Sequence, residues 1–431
     1  MKSPGRHKPF LLAITIACCG IIQSTTAQQY KAEDTLTLSL QQAEKVFIDS
    51  NFQLLAAHYN VDAQKALIEQ AKVWQNPTLN TDFMIGADGK FFKYGKNPDG
   101  SYNGQYYIQV QQLILTARKR GKLIDMATTN SKLSELQLQD VLRNLRYQLH
   151  QDYYNIQQQL ALLNIYNQQT VQLNKLLSGM QAQLSAGNVA QKDVVRIQAL
   201  QIALQQDRTE LNKSIADNEA DIKTLLQVKD AGKFVKPAET LNGDNIVMPE
   251  GLDGLINTAL QGNPYYLLQQ STTTYQQQNL VYQKALKTPD LTLGPNFDRN
   301  SNFAPNYIGL GVSLPLPVFN TNKGNIKAAQ FNVKQQEAIT QNAETELRNN
   351  VSNAYKKLVL TIEQNSATQK DFYSKYQTIY NNMLQSYQQR QIGLLEFLDF
   401  YNDYTDSQQR LLQQQLNLQL ANEELQYQIG K

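Results

Sequence analysis

Past a leader that ends at Ala27 the chain has no cysteine, because Cys18 and Cys19 both precede that point. A disulfide framework and a thiolate metal site are therefore excluded from the mature chain. Proline is absent from Arg118 to Val228 and again after Pro317, so two long tracts lack the residue that most surely stops a helix. Apart from the leader, no apolar run approaches the ~18 residues that a membrane-spanning helix needs. If the mature chain enters a membrane, it must do so as strands. An excess of one charge is missing too: the leader holds three of the 40 Lys+Arg and none of the 37 Asp+Glu, which leaves 37 of each and a formal net charge of zero. That balance gives no sign of nucleic-acid binding. His58 and His150 stand alone on long helical tracts with no clustered acids, so no metal site is assigned. Nor is there a glycine-rich phosphate loop, a paired His-Glu-His motif or a nucleophile elbow. No catalytic or cofactor-binding residue is assigned.

The leader itself has the form of an export signal: Lys2, Arg6 and Lys8, an apolar run from Phe10 to Ile22, then Thr25-Thr26-Ala27 as a small-residue cleavage site. A competing reading makes Cys18 or Cys19 the lipidated first residue, although Thr15 and Ile16 before Ala17 make a poor lipidation motif. The mature chain is heavy in Gln and Asn. Leu, Ile, Val and Tyr recur among them at helical spacing, so these amides cover water-facing helix surfaces rather than forming a disordered tract.

What is present is dominated by Arg118 to Val228. Leu138, Leu142, Leu145, Leu149, Tyr153, Ile156, Leu160 and Leu163 fall at steps of three and four, the seam of a helix packed lengthwise on neighbours. After Ser185-Ala186-Gly187-Asn188 the rhythm resumes at Val194, Ile197, Leu204, Leu211, Ile215, Ile222 and Leu225. The pattern predicts an antiparallel helical hairpin whose first arm, Lys119 to Ser185, is ~100 Å long. Before it, Thr37 to Trp74 reads as a helix ended by Asn76-Pro77. From Pro77 the period changes to two. Leu79, Thr81, Phe83 and Ile85 alternate with Asn80, Asp82 and Met84, and after a Gly/Asn/Lys loop (86–104) Tyr106, Ile108 and Val110 alternate with Tyr107, Gln109 and Gln111. Strands long enough to cross a bilayer are thereby predicted, with Phe91, Phe92, Tyr94, Tyr102, Tyr106 and Tyr107 crowded near the loop as an interface belt.

The order then repeats. Asn263 and Pro289 stand 212 residues after Asn51 and Pro77, and Leu347-Arg348 and Tyr355 stand 202 after Leu145-Arg146 and Tyr153. Asp253 to Lys287 reads as a helix, 291–297 and 307–316 as strands, Pro315 and Pro317 as the close of the second hairpin, and Lys323 onward as the second long arm. Gly393 is read as the counterpart of Gly187, and Asp399 as that of Asp193 six residues after its glycine. The organisation expected is a signal peptide (1–27), a first repeat (28–250, with β-hairpin 77–115, helical hairpin 118–228 and connection 229–250) and a second repeat (251–431, with β-hairpin 289–317 and helical hairpin 322–429). In each half the long arm (119–185, 323–390) nearly matches in length the two shorter helices that run back beside it. The fold class is thus mainly α with a small membrane β-barrel. Four strands per chain cannot close a barrel, whose smallest size is eight, and open edges are not tolerated in lipid, so copies must share one.

With the duplication, the Pro77 and Pro289 junctions, Leu314-Pro315-Leu316-Pro317-Val318-Phe319, and the turns Gly187-Asn188-Val189 and Gly393-Leu394-Leu395-Glu396-Phe397, the chain resembles the TolC family of bacterial outer-membrane efflux proteins over almost its whole mature length. The resemblance implies a homotrimer: a twelve-stranded β-barrel in outer-membrane lipid above a helical tunnel in the periplasm. It implies as partners a periplasmic membrane-fusion adaptor and an inner-membrane RND-type pump, with no nucleic acid and no cofactor. Gln41 to Trp74 and Arg390 to Tyr401 look most like the ducts of heavy-metal exporters; a drug or type I polypeptide exporter is the alternative, and a trimeric surface stalk without transport the second. The tip expected to dock on the adaptor comprises Gly187, Asn188, Val189, Ile392, Gly393, Leu394, Leu395, Glu396 and Phe397, whose apolar members would suit a binding surface. Asp193, Glu396 and Asp399 are candidate pore carboxylates, or else helix-start acids facing the dipole.

Overall fold

A computed structural model describes residues 34–431 except 88, 92, 243–245, 302 and 368–369. The export signal, Cys18 and Cys19, and Phe92 lie outside the described residues. In chain order the elements are β1 (Thr35–Leu38), α1 (Leu40–Ser50), α2 (Phe52–Lys72), β2 (Thr78–Phe83), the two-residue strands β3 (Gly86–Ala87), β4 (Lys90–Phe91), β5 (Gly95–Lys96) and β6 (Tyr102–Asn103), then β7 (Tyr106–Ile114), α3 (Lys119–Ser185) and α4 (Gln191–Leu226). The second half has β8 (Phe234–Pro237), α5 (Leu252–Gly262), α6 (Pro264–Ala285), β9 (Leu291–Asn300), β10 (Pro305–Ser313), α7 (Lys323–Ala367), α8 (Lys370–Gln388) and α9 (Leu394–Ile429). Among the described residues no helix is long and apolar enough to cross a membrane.

The expected first helix is corrected at its start. Thr35–Leu38 is a strand that pairs in parallel with β8, Thr37 opposite Lys236, and the helix begins only after Ser39, which caps it in a reciprocal box with Gln42. That box satisfies two backbone donors of the helix start that have no partner within the helix.

Asn51 then divides the helix. Its side-chain oxygen accepts from Gln53 N and Leu54 N, and its amide donates to Leu225 O at the end of α4. Asn263 repeats the device, accepting from Tyr266 N and donating to Gln428 O near the end of α9. Each buried asparagine thus caps one helix and receives the C-terminus of another, which is how two short helices are stacked end to end beside a long one. Gly430 lies so close that a Cβ there would sit 2.6 Å from Gly262 O, so the second stack admits no side chain at that point.

The large sheet has the order β10-β9-β7-β2 and is antiparallel throughout. The inner pair β7–β9 joins the two halves of the chain, and β2 and β10 are open edges. Pro77 precedes β2, Pro289 precedes β9, and Pro315 and Pro317 follow β10. At the junction below it Lys119, 3% exposed, donates to Asp290 Oδ1 (2.7 Å) and Thr288 O (2.5 Å), while Thr116 N donates to the same carboxylate oxygen. This clasp fixes where the first hairpin leaves the sheet relative to where the second enters.

Among the described residues three apolar cores lie along the helices. Two sit at mid-height, one around Phe47, Leu149, Ile156 and Ile222 and the other around Ala259, Val351, Leu358 and Leu425. The third fills the far end of the helical hairpins. Between the first two, His150 is not alone, as the sequence suggested. Its Nε2 meets Glu44 Oε1 of α1 at 2.7 Å and its Nδ1 meets Glu423 Oε2 of α9 at 2.6 Å. Both carboxylates come from helices distant in sequence, so spacing along α3 could not disclose them.

Candidate functional site

The two helical hairpins end side by side, and their turns are built alike. In the first, Gly187 N bonds to Leu184 O and Asn188 N to Gln183 O, with Gly187 at φ +72. In the second, Arg390 N bonds to Tyr387 O and Gln391 N to Ser386 O, with Arg390 at φ +62. Both are Schellman closures, in which a left-handed residue lets two amides satisfy the last carbonyls.

The counterpart of Gly187 is therefore Arg390. Gly393, at φ −80 and ψ 158, is the extended N-cap of α9 and matches Ala190, the N-cap of α4. The carboxylates shift with it: Asp193 and Glu396 occupy the first turns of α4 and α9, whereas Asp399 lies a turn further on. The expected pairing took Gly393 as the counterpart of Gly187. It failed because the closing hydrogen bonds hold an arginine where glycine would be free of strain.

The strain differs accordingly. Gly187→Val must place a branched side chain in left-handed backbone, costing about 1–2 kcal/mol, while Gly393→Ala meets open space and an ordinary φ. Amide exchange around the first turn is expected to accelerate in Gly187→Val, and around the second turn to stay as in wild type in Gly393→Ala. Equal acceleration in both variants would contradict this.

The apolar tip residues divide in two. Leu394 and Phe397 are 9% and 1% exposed and belong to the hairpin core, against the expectation that they face outward. Val189 and Ile392 are half-buried against that core. Leu395, at 62%, is outward. Phe397 stacks on Tyr387 with ring centroids 5.1 Å apart, and Tyr380 stacks on Tyr404 at 4.2 Å. Polar bonds lace these rings to α3: Tyr380 donates to Gln172 (2.7 Å), Tyr401 to Gln169 (3.3 Å), and Gln409 donates to the Tyr166 hydroxyl (2.7 Å). Burial, then the charge of Asp193, pushes the Tyr387 hydroxyl pKa up, which keeps it protonated.

Between the turns lies a cavity of ≈ 460 Å³, lined among others by Met180, Gln183, Asn188, Asp193, Arg390 and Ile392. Arg390 donates across it to Gln183, and Asn188 donates to the same oxygen at 3.1 Å. Sequence reasoning missed Gln183, Tyr387 and Arg390. The signal available was the recurrence of aromatic residues in 372–404, which reads locally as seam.

Comparison with known proteins places this architecture. The chain is 22% identical over 382 residues to the cobalt-zinc-cadmium resistance protein CzcC of Cupriavidus metallidurans, spanning 87% of this chain and 84% of that one. The crystal structure of CusC superposes with a TM-score of 0.74 at 17% identity, covering 94% of this chain and 95% of that chain. The CmeC outer membrane channel of Campylobacter jejuni gives 0.73 at 13% identity, over 97% and 94%. The profile described as outer membrane efflux protein matches 45–227 and 255–431, both halves of the duplication, and the chain belongs to that family.

Proposed function

We propose that this chain is the outer-membrane duct of a tripartite exporter of heavy-metal cations. The observation that carries the duct is the four-stranded sheet with open edges at β2 and β10, continuous with a helix of 67 residues. Ile308, Leu310 and Val312 stand outward on β10 at 78%, 67% and 62% exposure, a face that lipid would cover. Three copies close the edges into twelve strands, an allowed size, and their helices continue the barrel as a periplasmic tunnel of ~100 Å. The homotrimer works with a periplasmic adaptor and an inner-membrane pump, and passage through the duct itself is passive.

The cargo and the tip are the finer part of this reading. The name of the similar protein, a cobalt-zinc-cadmium resistance protein, supports divalent cations as cargo. For docking, the exposed Gly187, Asn188, Gly393, Leu395 and Glu396, beside the cavity spanned by Arg390, supply a mixed apolar and polar surface at the end furthest from the strands. Glu396 and Asp399, both exposed, are the carboxylates proposed to meet cations at the entrance. Asp193 is assigned instead to the dipole of α4.

Deletion of the gene separates the readings. Colony formation on cobalt, zinc or cadmium salts is expected to drop, with tolerance of organic drugs unchanged, and the duplicated chain to restore it. Sensitivity to drugs alone would favour the drug-exporter reading. No sensitivity of either kind, with the helices cut by protease along their length on whole cells, would favour a surface stalk.

A further inference from the structure

We propose that the collar where barrel strands pass into helices binds the anionic headgroups of phospholipids in the leaflet on the tunnel side. The inference rests on the channel reading for the position of the membrane. Four strand-helix junctions meet here, and named contacts hold them together. Arg120 donates to Lys72 O (3.3 Å) and lies 4.3 Å from the centre of the Trp74 ring, Lys119 joins Asp290 and Thr288, and Asn322 donates to Gln283 O at 2.8 Å.

Within 69–77, 115–124, 284–290 and 318–328 there are nine basic residues and two acidic ones, in a chain whose total is 40 Lys+Arg and 37 Asp+Glu. Among the described residues the ion pairs at this level are Lys72–Glu69 and Lys119–Asp290, which use both acids.

The placement of this charge is the telling point. Lys72 and Lys284 stand in the last turns of α2 and α6, where a cation complements the helix dipole and needs no other reason. Arg118, Arg120 and Lys122 at the start of α3, with Lys323 and Lys327 at the start of α7, stand where the dipole opposes them. Neither helix has an acid in its first turn. Lys119 is offset by Asp290, Arg120 by Lys72 O and the Trp74 ring, and Lys122 by Ala117 O, whereas Arg118, Lys323 and Lys327 stand at helix starts against the dipole, which favours an anion from outside the protein.

Immediately toward the strands the surface is apolar: Leu79, Val312, Leu316, Val318 and Phe319 are 64%, 62%, 74%, 68% and 101% exposed. Trp74, 55% exposed, stands at the boundary as an interfacial aromatic would. A band of outward apolar side chains edged by cations matches a lipid monolayer with anionic headgroups, whose phosphates attract Lys and Arg at the surface. A soluble anion would account for the charge but not for the apolar edge.

Trp74 is the single tryptophan and reports from the collar. The trimer is placed in phosphatidylcholine nanodiscs containing either phosphatidylglycerol or phosphatidylcholine brominated near the headgroup, at equal low fraction, and Trp74 quenching is read. Brominated phosphatidylglycerol is expected to quench several-fold more strongly. That excess should vanish in high salt and in the combined Arg118→Gln, Lys122→Gln, Lys323→Gln, Lys327→Gln variant, which leaves Arg120 on the indole. Equal quenching by the two lipids, or a preference retained by the variant, overturns the proposal. So does displacement by lipid A in preference to phosphatidylglycerol, which would bring the phosphates from the other leaflet. Conductance in planar bilayers is recorded alongside. A conducting trimer without lipid preference sinks the collar alone, and a trimer that neither inserts nor conducts sinks the channel reading with it.

Discussion

Phe397→Ala is expected to release the end of the helical hairpins without unfolding the rest of the chain. The ring is 1% exposed and packs between Tyr387 and Tyr401 in the terminal core. Truncating a buried phenylalanine costs about 3–5 kcal/mol, the upper part applying where the surroundings cannot collapse. Here they cannot collapse easily, because the neighbouring rings are tied by hydroxyl bonds to Gln169 and Gln172 of α3. The core at the tip is separate from the two mid-height cores, so the loss is local opening rather than global unfolding. Hydrogen exchange at the amides of 183–200 and 385–400 should accelerate by at least about 100-fold, the factor that ~3 kcal/mol implies. Amides around Leu149 and Val351 should keep their protection. Leu395→Ala is the control: its side chain is outward, so exchange is unchanged, while adaptor affinity falls if this surface docks. Wild-type exchange in Phe397→Ala would mean that the terminal core is not held by this ring.

The contrast between those two residues marks what the sequence discloses and what it does not. The steps of three and four from Leu138 to Leu163 specify a helix, and the structure ends it at Lys119 and Ser185, where the reading put it. Alternation likewise disclosed β2, β7 and β10, because one side chain in two must face the same way whatever the partner strand. Periodicity cannot say which apolar residue of an exposed turn points inward. Phe397 is buried because Tyr387 of α8 stacks on it and bonds to Met180 of α3 within the same core, and that arrangement is tertiary. The strand Thr35–Leu38 escaped detection for a related reason. Its Thr-Leu-Thr-Leu alternation favours a strand, but four residues are too few to separate it from the helix that follows without the pairing with β8, some 200 residues away. Arg390 was hidden because left-handed backbone is normally signalled by glycine, and the nearby Gly393 supplied a false signal.

A second large effect is expected at His150, and it depends on pH. The imidazole is 12% exposed and bridges Glu44 on α1 to Glu423 on α9, so one side chain of α3 joins both halves of the duplication. Arg146 approaches Glu44 at 3.6 Å from the same helix, and Tyr147 and Tyr154 also face these carboxylates. Burial alone would lower the histidine pKa. The hydrogen bonds and charges of Glu423 and Glu44 outweigh it, and the pKa is raised above its ordinary value. A folded-state value above the unfolded one means that the clasp contributes fully below the ordinary histidine range. That contribution is lost as pH rises through the elevated folded value. His150→Leu removes the cation and leaves two carboxylates facing each other, a loss of about 2–3 kcal/mol once the partial exposure of Glu44 is allowed for. The melting temperature of His150→Leu should lie furthest below wild type just below the ordinary histidine range, and the gap should narrow as pH rises through the raised folded value. His150→Gln, which can still hydrogen-bond to one carboxylate, should fall between the two at low pH. If the gap between wild type and His150→Leu were constant over that range, His150 would be acting by packing alone, and the two halves of the chain would not be held together by its charge.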